Sequence, residues 1–124
     1  MLRSIGSVAA GYMIFAASAI LLFQMSGRDP HANAPLAFKV ATVIWGTVFA
    51  LVAGWLTARI AGRQPAAHAA VLAGVIALGA IISIVTSRGD AVWSQIAAAV
   101  VMAPCAWLGG FVARLQAASG RSAP

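Results

Sequence analysis

The sequence predicts an all-α fold, an integral membrane four-helix bundle made of two helical hairpins, and three observations predict it. First, the 124 residues are 62% hydrophobic and 8% charged, with a mean hydropathy of +0.95. Soluble domains carry roughly a quarter charged residues, and small ones bury only ~60–70% of their surface, so this much apolar side chain must face lipid. Second, the charges fall at the edges of four long apolar intervals. Third, no stretch alternates in polarity as a membrane β-strand of ~9–11 residues would. The chain reads as a single transmembrane domain, 1–124.

The elements follow from the charge-free intervals in order. Residues 4–27, between Arg3 and Arg28, predict a helix over 5–26. Residues 40–58, between Lys39 and Arg59, predict one over 37–60. Residues 64–87, between Arg63 and Arg88, give 65–87, and residues 91–113, between Asp90 and Arg114, give 91–114 with a short basic tail over 115–124. Each interval is near the ~20 residues that cross a ~30 Å hydrocarbon core at 1.5 Å per residue. Ala32-Asn33-Ala34 resembles a signal-peptidase site. The apolar run before it is longer than the ~7–15 residues of a secretory signal, and the first segment is therefore read as a retained helix.

The connections agree with these boundaries. SGRDPHANAP (26–35) is polar and Pro-bounded, a loop by composition. Gly62 is placed to cap the second helix and Pro65 to open the third. SRGD (87–90) reads as a tight turn. With the N-terminus inside, the inner side carries Arg3, Arg59, Arg63, Arg114 and Arg121, against Arg28, Lys39 and Arg88 outside. The positive-inside rule then predicts that both termini are cytoplasmic. The five inner arginines are topology anchors and candidate contacts for anionic lipid.

The hairpins echo each other. The first and third helices end in Ser26-Gly27-Arg28-Asp29 and Ser87-Arg88-Gly89-Asp90, and the second and fourth share Gly-x-x-x-Ala-Arg at 54–59 and 109–114, the first hairpin carrying the longer outer loop. A tandem repeat of a two-helix unit is one reading, and two hairpins meeting the same topological demands is the other. The second helix carries small residues at every fourth position, Thr42, Gly46, Ala50, Gly54 and Ala58, and the third offers Gly79, Ser83 and Ser87. Lipid is as apolar as a neighbouring helix, so association depends on close backbone approach, which small residues permit. Gly46, Ala50, Gly54, Ala58, Gly79 and Ser83 are therefore the expected packing residues, with Gly11 expected to matter less. Pro104 predicts a kink over 100–104. Trp93 belongs near the outer boundary, Trp55 and Trp107 near the inner one, and Trp45 deeper, against the bundle.

The sequence excludes more chemistry than it suggests. The net charge of +6 is dispersed over helix ends, with no run or stripe to track a nucleic acid. A single cysteine, Cys105, rules out an internal disulfide and any multi-cysteine metal site. All four span centres lack ionisable groups, whereas intramembrane function usually retains one. The chain has no glutamate, which argues against proton-coupled export by the small multidrug transporters, and its spans lack asparagine and the polar pore pattern of fluoride channels. Asp29 and His31 fall short of an all-protein zinc site, and His31 and His68 belong on opposite sides, which defeats a bis-histidine haem. No cofactor, metal or catalytic residue is predicted, and the chain is not expected to be an enzyme.

The hairpin from Gly54 to Arg63, followed by Pro65 and His68, resembles a pattern in small four-helix bacterial membrane proteins to which no activity is assigned. The resemblance implies the fold and the inner membrane and no chemistry. Two functions compete. One is a non-enzymatic subunit or scaffold that joins a larger membrane complex, or itself, through Gly/Ala faces, and it predicts a bundle without a continuous polar cavity. The other is a homo-oligomeric channel or transporter, which predicts that Thr42, Thr47, Ser83 and Thr86 converge on one water-accessible groove.

Overall fold

The computed structural model describes residues 1–87 and 91–121. The described residues form four helices long and apolar enough to span a membrane: α1 (Leu2–Ser26), α2 (Leu36–Ala61), α3 (Pro65–Thr86) and α4 (Trp93–Arg121). The bundle is a multi-pass membrane protein. The four-residue turn expected at 87–90 lies mostly outside the described residues.

Two boundaries differ from expectation. α1 begins at Leu2 rather than 5, because Arg3 turns back to the bundle instead of ending the helix. The expected tail from 115 is helical to Arg121. Leu115, Gln116 and Ser119 continue the turn, and Ser119 Oγ donates to the Leu115 carbonyl at 3.1 Å. Helix ends are closed by backbone, not side chains. Gly27, at φ 64°, gives its N–H to Gln24 while Arg28 N–H reaches Phe23, a closure that a left-handed glycine makes without Cβ strain. Gly62 caps α2 through Ala58, and Pro65 opens α3, both as expected.

The bundle is inside-out relative to a soluble one. Its core is small: Ala50, Ala53, Ala103 and Ala106 pack with Leu72, Ile76 and Met102. Bulky residues such as Val40, Ile44, Val48 and Val52 point outwards on α2, one per turn. Large side chains gain nothing by leaving lipid for a neighbouring helix, whereas small ones bring backbones into dispersion contact.

α2 and α4 make the closest pairing, and both run from the loop end of the bundle to the arginine end. A Cβ on Gly54 would lie 2.6 Å from the Ala106 carbonyl carbon, and one on Gly109 would lie 2.9 Å from that of Leu51. Of the predicted packing residues, Gly46, Ala50, Gly54 and Ala58 are buried. Gly79 and Ser83 are only half-buried. The packed face of α3 is instead Ala69, Leu72, Ile76 and Ala80, one step round the helix, because on an alanine-rich helix spacing alone does not choose the face.

Gly11 overturns its expected minor role. A Cβ there would strike Thr57 Oγ1 and lie 3.0 Å from the Ala53 carbonyl oxygen. Thr57 is fully buried and donates to the Ser7 carbonyl at 3.1 Å, so Ser7 and Gly11 form the socket that seats α2 on α1. Gly11→Leu is expected to lower the unfolding midpoint in mild detergent at least as far as Gly46→Leu; a smaller shift would mean α1 can ride outwards without loss.

Near Pro104, α4 departs from α-helical geometry. Residues Ala98–Met102 form a π-helical turn, closed by the Ala103 N–H on the Ala98 carbonyl. Pro104 has no N–H for the Val100 carbonyl and its ring crowds that oxygen. Widening the preceding turn relieves the crowding. The sequence located the irregularity, and its form is a π turn.

Candidate functional site

Polar groups gather at the two ends of the bundle. At the arginine end, Arg3 Nε donates to the Ile60 carbonyl at 2.6 Å, tying the start of α1 to the end of α2. The Arg59 guanidinium lies 5.1 Å from the Trp55 ring centre, and Trp55 Nε1 donates to Gln116 Oε1 at 2.9 Å, tying α2 to α4. The other three predicted anchors converge. Arg63, Arg114 and Arg121 border a cleft of about 480 Å³ between the α2–α3 turn and the last turns of α4. None of the three side chains makes a hydrogen bond or ion pair with a described residue.

The loop end is a strap. Residues 27–35 lie against the start of α4 through Ser94 Oγ to the Pro30 carbonyl at 2.8 Å, Trp93 Nε1 to the Ala32 carbonyl at 3.0 Å and Ala91 N–H to the His31 carbonyl at 3.2 Å. The buried Gln95 donates through Nε2 to His31 Nδ1 at 2.8 Å, and Asp29 Oδ1 accepts the His31 backbone N–H at 2.7 Å. Phe23, Phe38 and Trp93 cluster beneath, with Arg28 over Phe38 at 4.9 Å and Lys39 over Trp93 at 5.7 Å. Asp29 and His31 thus hold loop geometry, and no metal-binding group of three His, Cys, Asp or Glu exists among the described residues. Gln95 was missed in the sequence, although it is the only amide in the fourth apolar interval. A buried amide needs a partner, and that could have pointed to the strap.

Between the ends, the backbones of α1 and α4 stand apart. Where they stand apart lies a cavity of about 270 Å³, bordered by Tyr12, Phe15, Thr42, Ser83, Gln95 and Met102 among others. Its walls are mostly apolar. Of the four hydroxyls a permeation path would gather, Thr42 and Ser83 reach it, and Thr47 and Thr86 do not. Thr42 and Thr86 are satisfied by the carbonyls of Phe38 and Ile82 at 2.8 Å, while Thr47 Oγ1 is buried without a partner among the described residues. Trp45 faces the bundle as expected, donating to the Ser18 carbonyl of α1 at 3.1 Å. His68, in the first turn of α3, faces the Gln64 carbonyl at 3.1 Å. α3 separates it from the His31 end by roughly 30 Å, at 1.5 Å per residue.

No curated protein matches the chain, and no solved structure matches it. One family does, over α1, α2 and most of α3, and it is more specific than the likeness carried by the α2–α3 hairpin. Because the match covers residues 1–82 of 124, the chain belongs to the cytochrome b (C-terminal)/b6/petD family.

Proposed function

We propose that this chain is a non-enzymatic subunit of a larger membrane complex of the cytochrome b type, seated in the bacterial inner membrane with both termini in the cytoplasm. Family membership over three of the four helices carries the reading. The interior supports it: polar side chains there close helix contacts, as Thr57 does on Ser7 and Trp45 on Ser18.

The family name brings haem into question, and this chain's residues do not fit a haem gripped by two histidines. Such a pair must face each other across one iron. His31 lies in the loop strap, bonded to Gln95, and His68 at the far end of α3. A haem-bearing partner within the complex is compatible with this.

Gentle extraction from the native membrane, followed by native mass measurement, tests the reading. A complex with stoichiometric partners is expected. A clean homo-oligomer would move the weight to the channel alternative, which flux in liposomes would then test. For topology, a reporter active only in the cytoplasm should work when fused after Arg121 and fail when inserted at Asn33; the reverse pattern would invert the orientation.

A further inference from the structure

We infer that the cleft between Arg63, Arg114 and Arg121 is a phosphate-binding site at the membrane surface, separate in role from the other two arginines at that end. Those two are occupied within the protein: Arg3 by the Ile60 carbonyl and Arg59 by the Trp55 ring. The cleft arginines have no partner among the described residues. Nor do the described residues offer them a counter-charge: the one carboxylate side chain among them, Asp29, sits in the strap at the opposite end.

Three guanidiniums around one cavity repel each other unless an anion lies between them. Phosphate fits the donor set, because each guanidinium offers paired N–H groups that match two oxygens of one phosphate. The cleft sits where a headgroup would: α4 presents exposed Leu108, Phe111, Val112 and Leu115 just below it, a wall against which acyl chains can lie. Gln64 and Pro65 form the opposite lip, so the uncapped start of α3 adds its positive end to the field. A lipid headgroup and a free anion share this phosphate chemistry, and the two sources separate experimentally.

The full chain, delipidated in a neutral maltoside detergent, is titrated with short-chain phosphatidylglycerol, with short-chain phosphatidylcholine and with inorganic phosphate, and binding is followed by native mass spectrometry and thermal shift. Phosphatidylglycerol should bind in preference to phosphatidylcholine. Each of R63Q, R114Q and R121Q should weaken it about fivefold, the effect of one interfacial charge, and R59Q should leave it unchanged. Stabilisation by inorganic phosphate alone, lost in R63Q and R114Q, would support the site and name a free anion as its occupant. Equal weakening by R59Q and R63Q, or no weakening by any cleft variant, would overturn the inference and return these arginines to a diffuse collar. The substituted side chains make no hydrogen bond or ion pair with a described residue, so their unfolding midpoints without ligand should match the parent and keep binding distinct from folding.

Discussion

Gly54→Leu is expected to abolish the native bundle in mild detergent, and Gly54→Ala to destabilise it by about 3 kcal/mol or more, at or above the upper end for overpacking. The missing Cβ faces the Ala106 carbonyl, a backbone group with no rotamer to change, and its carbon would lie 2.6 Å away. Relief requires α2 and α4 to separate, and that loosens the whole core cluster around Ala50, Ala103 and Ala106. Gly46→Ala is the control. Its new methyl meets the end of the Met102 side chain, which is flexible enough to swing into the adjoining cavity. Chemical unfolding in micelles should place Gly46→Ala within ~1 kcal/mol of the parent, the range of a tolerated core change. Equal losses at both positions would show that α4 is held no more tightly than a side chain.

Trp93→Ala should open the strap. It removes the bond to the Ala32 carbonyl, two aromatic contacts and the ring beneath Lys39. Truncating a buried aromatic costs ~3–5 kcal/mol; Trp93 is half-buried, so a loss of about 2 kcal/mol is expected. Trypsin cleavage after Arg28 should accelerate. Trp93→Phe keeps the ring cluster and loses the N–H, and should forfeit about 1 kcal/mol. If both variants cleave at the parent's rate, the strap is held by Ser94 and Gln95 instead.

What the sequence could reveal depended on the kind of signal. Charge-free length is set by bilayer thickness, so the four spans were legible from the charges that flank them, although the start of α1 and the end of α4 were not. The α2 stripe was legible because two glycines broke the alanine background. The faces of α1 and α3 were not, since Ser7 and Gly11 gain meaning only opposite Thr57. Side chains that reach across helices, such as Gln95 to His31 and Trp55 to Gln116, join residues more than 60 positions apart, and no local pattern encodes them. The arginines were legible as a group. Their division into clamp, stack and cleft required the fold.

The pairing of α2 with α4 has a consequence for how the chain can be divided. Gly54 meets Ala106 and Leu51 meets Gly109, so adding 55 to each α2 position exchanges the two contacts. The seam is therefore its own complement about an axis parallel to the helices, the arrangement of two like chains crossing in the same direction. A gene cut between the third and fourth spans would leave α4 an orphan; one cut between the hairpins would yield two peptides, each already carrying half of a mutually fitting surface.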